Sequence, residues 1–122
     1  MKKFSAAALF VLLVACSSVQ LLEVQDSYFL YFGTSRPGGV VTDAEWTAFV
    51  EEVITPRFPG FTEWTAEGHW KQQREKTNIV QIVHLHRGDS EQKIAEIIAA
   101  YKKRFAQESV FWVRTPAVAQ AR

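Results

Sequence analysis

The sequence predicts an α+β domain of ferredoxin-like type: a βαββαβ sandwich in which a four-stranded antiparallel sheet carries two helices on one face. Three observations predict it. Segments with a strand period and segments with a helix period follow one another as strand, helix, strand, strand, helix, strand, the order of a split βαβ arrangement. The first and third strand segments are the most continuously apolar, as the central pair of such a sheet should be. What precedes the first strand has the plan of an export signal and contributes nothing to a folded core.

That signal occupies residues 1–15, with a basic start at Lys2 and Lys3 and an apolar run from Ala6 to Val14. The run falls short of the roughly 20 apolar residues that a membrane-spanning helix needs, and no later segment offers a second candidate. Leu13-Val14-Ala15-Cys16 resembles the lipobox of bacterial lipoproteins, in which the cysteine sulfur takes a diacylglycerol and becomes the new N-terminus. Each buried CH2 contributes about 0.8 kcal/mol, so two or three acyl chains on Cys16 would hold the protein on a membrane. Cys16 is the one cysteine of the chain, which excludes an internal disulfide. Ser17 after it resembles the pattern sent on to the outer membrane. The expected location is the cell envelope, lipid-anchored and facing the periplasm, and residues 16–26 read as the lipidated tether.

The domain is expected over residues 27–115. Tyr28-Phe29-Leu30-Tyr31-Phe32, closed by Gly33 and the turn-prone Arg36-Pro37-Gly38-Gly39, is a strand apolar on both faces. Thr42 and Glu45 form a capping box, after which Trp46, Phe49, Val50, Val53 and Ile54 fall on one helical stripe that Pro56 ends. From Phe61 to Trp70 the residues alternate. Thr62, Trp64, Ala66, Gly68 and Trp70 point one way and Glu63, Thr65, Glu67 and His69 the other, which describes an edge strand with one wet side. Lys71 to Thr77 reads as a loop, and Ile79 to Leu85 as the third strand. Asp89 and Gln92 offer a second capping pair for a helix carrying Ile94, Ile97, Ile98, Tyr101 and Phe105. Lys102, Lys103 and Arg104 lie in its last turn, where positive charge complements the helix dipole. Val110 to Arg114 makes the last strand, and residues 116–122 a loose tail.

One domain is the expected count, large enough to bury a core without staples. The formal net charge is +1, and cleavage would remove two of the lysines. A balance so close to neutral argues against nucleic acid as a partner. Tyr31-Phe32-Gly33, Glu45-Trp46, Thr55-Pro56-Arg57-Phe58-Pro59-Gly60-Phe61-Thr62, Gly68-His69-Trp70 and Tyr101-Lys102-Lys103-Arg104-Phe105-Ala106-Gln107-Glu108-Ser109-Val110 together resemble an uncharacterised bacterial family of small exported proteins, catalogued as a domain of unknown function. The resemblance implies an exported single domain and supplies no catalytic residue.

The candidate pocket residues are Tyr31 and His84 on the central strands, Arg36 in the glycine-rich turn, and Arg57, Arg104, Gln107 and Glu108, polar groups near aromatics at helix ends. Arg57, Arg104, Gln107 and Glu108 read first as braces between loops. The glycine-rich turn 33–39 lacks the spacing and lysine of a phosphate loop and reads as a flexible rim. His84 and His86, two apart on a strand, have a spacing that suits a pair of metal ligands, with a third to come from His69 or Glu67. No metal and no cofactor is expected, because the histidines have an equally good reading as a strand running out to solvent. No nucleophile motif is present. With both helices on one face, the other face of an apolar sheet lies open, which marks an interface or ligand site unless the N-terminal tether or the C-terminal tail folds over it. The first functional expectation is a non-enzymatic lipoprotein that binds a small apolar ligand, an envelope protein or a second copy there. The alternative is a small dimeric enzyme of the α+β barrel kind, acting on a small molecule with Tyr31, His84 or Arg104.

Overall fold

The computed structural model describes residues 24–86 and 88–120. The signal, Cys16 and most of the expected tether lie outside the described residues. Strand β1 (Gln25–Gly33) leads into a short hairpin, β2 (Ser35–Arg36) and β3 (Gly39–Val40), then helix α1 (Asp43–Phe49), which continues as a wider π-type turn over Val50–Ile54. Strands β4 (Thr62–Trp70) and β5 (Gln73–Leu85), helix α2 (Ser90–Phe105) and strand β6 (Phe111–Ala117) complete the domain. The sheet order is β4-β5-β1-β6, antiparallel throughout. This is the ferredoxin-like order that the sequence predicts, with its two most apolar strands in the centre.

The expected capping box at α1 forms completely. Thr42 Oγ1 accepts from the Glu45 backbone N–H at 3.2 Å, and a Glu45 carboxylate oxygen accepts from the Thr42 N–H at 2.8 Å. Trp46, Phe49, Val53 and Ile54 are buried, as their spacing requires. The helix widens at its end, where the Thr55 N–H reaches back five residues to the Val50 carbonyl. Helix α2 buries Ile94, Ile97, Tyr101 and Phe105, with Ile98 packed beside them. These stripes close on Tyr28, Leu30 and Phe32 of β1 and Val80 and Ile82 of β5. At the centre Phe32 meets Tyr101 with ring centroids 4.8 Å apart and Trp46 at 5.2 Å, while Phe49 meets Tyr101 at 5.1 Å. Such tilted pairs contribute about 0.5–1.5 kcal/mol each beyond their burial. The Tyr101 hydroxyl donates to the Gly33 carbonyl at 2.7 Å, which fixes α2 against the end of β1, and burial raises its pKa.

Several local expectations are corrected. Residues 71–77 are no loop: Trp70 pairs with Gln73, and Lys71 and Gln72 alone make the turn, at φ 45° and 66°. Both angles are those of a type I′ hairpin, reached here without glycine or asparagine, so the polar composition of the arm hid its strand pairing. Asp89 precedes α2 but caps no N–H; its carboxylate pairs with Lys93 at 3.1 Å instead. The ion pair one turn on outcompetes the cap because the Asp89 backbone is already helical, at φ −88° and ψ −14°. The supposed flexible rim is the β2–β3 hairpin, turned by Gly38 at φ 80°. The sheet also extends beyond the residues that alternation marks. β1 begins at Gln25, and β6 runs to Ala117 with Pro116 included, a position that an edge strand tolerates.

Candidate functional site

Strand alternation divides the residues of the sheet between two faces. Tyr28, Leu30 and Phe32 go to the helices, and Ser27, Phe29, Tyr31 and Gly33 go to the other face. On β4 the division is the reverse of what composition suggests. The polar set lies on the helix side, where Glu63 accepts from Trp46 Nε1 at 2.9 Å and Thr65 donates to the Asn78 side chain at 3.2 Å. The set containing Trp64 lies on the open face.

The cross-strand register then assembles one row over all four strands: Trp64, Ile79, Tyr31 and Phe111. The rings of Tyr31 and Phe111 lie 5.4 Å apart, and Phe29 meets Trp64 edge to face at 6.4 Å from the neighbouring row of Thr62, Gln81, Phe29 and Val113. Ile79 is buried between its neighbours, whereas Trp64 is 41% exposed and Phe111 67%. Beyond lies Val83, also exposed, beside Ser27 and Thr115, with Gln81 Nε2 donating to Ser27 Oγ at 3.2 Å. On the other side lie Ala66, Thr77 and Gly33. None of these positions carries a charged side chain, but from the next row the Glu75 carboxylate reaches over Gly33 and accepts from the Ser35 N–H at 3.0 Å. No described residue covers the aromatic ends of the row. Such a surface binds by apolar contact and ring packing.

The predicted polar candidates do not converge on it. Arg36 pairs with both carboxylate oxygens of Glu45, at 2.8 and 2.9 Å, and lies 5.8 Å over the Phe105 ring. The Glu45 carboxyl is held below the usual carboxylate range, first by the Thr42 N–H and then by Arg36. Arg57 bonds Glu96 at 2.9 Å and the Val53 carbonyl at 2.9 Å, and Arg104 bonds Glu52 at 2.8 Å. Gln107 Nε2 donates to the Ser35 carbonyl at 2.7 Å, and Glu108 is exposed. Arg36 and Gln107 thus brace one corner, and Arg57 and Arg104 tie helix ends. Only Tyr31 belongs to the open face.

The two histidines at the end of β5, His84 within it and His86 just past it, part company. His84 Nδ1 lies 3.0 Å from Ser90 Oγ and 3.1 Å from the Leu85 carbonyl, its ring edge-on to Phe58. His86 Nδ1 donates to Asp26 Oδ2 at 2.6 Å. The Asp26 side chain is 5% exposed and the His86 side chain 60%. His69 and Glu67 pair with each other at 3.1 Å far along β4, on register with Arg74 and Lys76 rather than with residue 84. The expected third ligand is therefore at the wrong end of the sheet, and the described residues contain no group of three metal-binding side chains. Asp26, placed by its sequence in the tether, is the residue that sequence reasoning missed. A single acidic residue before an apolar run gives no sign of a histidine 60 positions away. A buried carboxylate orienting an exposed imidazole is an arrangement suited to proton transfer. Above it the Tyr28 hydroxyl, 3.5 Å from the same oxygen, has its pKa raised by burial and then by Asp26.

A family model described as protein of unknown function, DUF3574, matches residues 27–120. No curated protein matches the chain. Among solved structures it is similar to a phage SAM lyase in complex with S-methyl-5'-thioadenosine, at 17% identity and a TM-score of 0.52, over 78% of this chain and 90% of that one. The same description without ligand, a phage SAM lyase in the apo state, gives 19% identity and a TM-score of 0.48 over 84% and 96%. Likeness at this level is a likeness of fold.

Proposed function

The chain belongs to this family of unknown function, DUF3574, and from that premise we propose that it is an exported protein, lipid-anchored through Cys16 to the bacterial envelope on the periplasmic side of the outer membrane, whose domain binds an uncharged apolar partner through the open sheet face. The observation that supports this reading is the uncharged row of Trp64, Ile79, Tyr31 and Phe111, whose ends Trp64 and Phe111 are left exposed by the described residues. A soluble domain exposes a contiguous patch of this kind mainly where it meets something. Two measurements test the two halves. Mass analysis of the N-terminal peptide from membranes should find acyl chains on Cys16, and a Cys16→Ala protein should be released from the membrane; an unmodified cysteine sinks the anchor. Tyr31→Glu should keep the far-UV spectrum while removing whatever dimer or bound mass native mass spectrometry finds on the wild type. Unchanged association would mean that the face is not the site.

The second reading, a small enzyme, has one observation in its favour, the Asp26–His86 pair. The phage enzyme of similar fold makes S-adenosylmethionine the first substrate to try. Turnover that is lost in His86→Gln and kept in Tyr31→Glu would favour this reading over the first.

A further inference from the structure

We infer that the cleft between α1 and β4, on the helix side of the sheet, binds a small protonated amine that carries a hydroxyl or carbonyl oxygen a few bonds from its nitrogen. The site lies across the sheet from the open face and stands independently of what that face binds. The cleft measures about 320 Å³, the size of a small-molecule site. Its polar groups follow three successive rows of the β4–β5 pair, with Glu63 in the first, Thr65 and Asn78 in the second and Lys76 in the third, about 7 Å between rows. Asp43 and Trp46 reach it from α1.

Charge is uneven along this floor. At one end Lys76 pairs with Asp43, which ties α1 to β5 and balances both charges. At the other end Glu63 is paired with no cation among the described residues. Trp46 Nε1 donates to one of its carboxylate oxygens at 2.9 Å and so fixes the group in place, while the second oxygen meets no described donor. One unbalanced negative charge is left facing the cleft, and it selects a cation that can donate to it. An anion would be repelled there, and a neutral molecule would leave the charge unanswered.

Asn78 supplies the complementary group. It is 4% exposed and follows, on this side of β5, the core residues Val80 and Ile82. An asparagine amide has an oxygen that accepts and an NH2 group that donates. The oxygen accepts from Thr65 Oγ1 at 3.2 Å, but no described residue accepts from the NH2 group, which is left to the cleft. A buried donor without a partner costs about 1–3 kcal/mol, a cost that an apolar side chain at the same position would not carry. Packing therefore gives no reason for an asparagine here, and a ligand oxygen does. An oxygen at Asn78 and an ammonium at Glu63, one row apart, set the spacing within the ligand.

The test is an NMR titration of the isotopically labelled full chain in detergent micelles at neutral pH, read at the Trp46 Nε1–H and the Asn78 side-chain amide. The probes are ethanolamine and glucosamine, with ethylene glycol and glycolate as neutral and anionic counterparts. The amines should move both resonances to saturation, and the counterparts should not. Glu63→Gln keeps an acceptor for Trp46 Nε1 while removing the charge, so it should stay folded and bind the amines about tenfold or more weakly, the loss of one hydrogen bond to a charged group. Asn78→Leu should also weaken binding yet raise the unfolding midpoint, because it removes the unpaired donor. Amines that shift neither resonance, or that bind Glu63→Gln as well as the wild type, would overturn the site. Saturable binding of ethylene glycol or glycolate in their place would overturn the cationic class. A lowered midpoint in Asn78→Leu would assign the asparagine to the fold and overturn the contact with a ligand oxygen.

Discussion

Replacing His86 by alanine tests the tie that closes the far end of the sheet. Asp26 Oδ2 accepts from His86 Nδ1 at 2.6 Å, and its other partner, the Tyr28 hydroxyl, is at the outer limit of a hydrogen bond at 3.5 Å. With its side chain 5% exposed, Asp26 has little water to turn to when the imidazole goes. Losing a hydrogen bond to a charged group costs about 1.5–3 kcal/mol. The imidazole is itself 60% exposed, so water enters part of the space it leaves, and the lower half of that range applies, about 2 kcal/mol. With a urea slope of roughly 1–2 kcal/mol/M for a domain of this size, the unfolding midpoint should fall by about 1–2 M. Asp26→Asn, which keeps the shape and removes the charge, should cost less. The double variant should be more stable than the two single losses added together, by about 1 kcal/mol or more. A midpoint that moves by less than about 0.3 M, or losses that add within about 0.5 kcal/mol, would refute the assignment of Asp26 and His86 as a pair that stabilises the fold.

Three further outcomes follow from the same geometry. Tyr101→Phe keeps the aromatic nest and removes the donor to the Gly33 carbonyl, so it should cost about 1 kcal/mol by thermal or urea unfolding; a neutral result would mean that the carbonyl finds another partner. Ala106 ends α2 in the left-handed conformation at φ 51° and ψ 43°, which strains a side chain, so Ala106→Gly should stabilise the protein by up to about 1 kcal/mol, and a loss of stability would show that the Ala106 methyl is needed there. Glu45, Glu96 and Asp89 have lowered pKa values, held mainly by the Thr42 N–H, Arg57 and Lys93 respectively. A lowered carboxyl pKa contributes stability above its ordinary value, lost as pH falls through the folded value, so unfolding should become easier below about pH 4. Glu45→Gln should flatten that acid limb, and an unchanged limb would assign it to other carboxyls.

Much of the fold was legible from residue periods because they record what each element buries. The stripes of α1 and α2, the Thr42–Glu45 capping box and the double apolarity of β1 each report a local constraint. The residues that satisfy it lie within a turn or two of one another. The same reading placed Tyr31 on a sheet and foresaw an open face. It misjudged features whose partners are distant or whose signal is backbone conformation. Lys71 and Gln72 turn a hairpin without the residues that usually announce one, and Asp89 prefers a side-chain partner to the cap.

The candidate site was the less legible part. Arg36, Arg57, Arg104 and Gln107 are conspicuous in sequence because polar groups beside aromatics suggest a pocket, yet each is held by a particular distant partner and serves as a brace. The sequence by itself determined the two helices and the central strands, and it carried the expectations of an exported, lipid-bearing start and, from near neutrality, of no nucleic-acid partner. Only the tertiary structure decided which side of β4 meets the helices, and so that Trp64, Ile79, Tyr31 and Phe111 stand in one uncharged row while Asp26 meets His86. Alternation fixes which residues share a face, but the face itself is chosen by pairing between strands far apart in the chain.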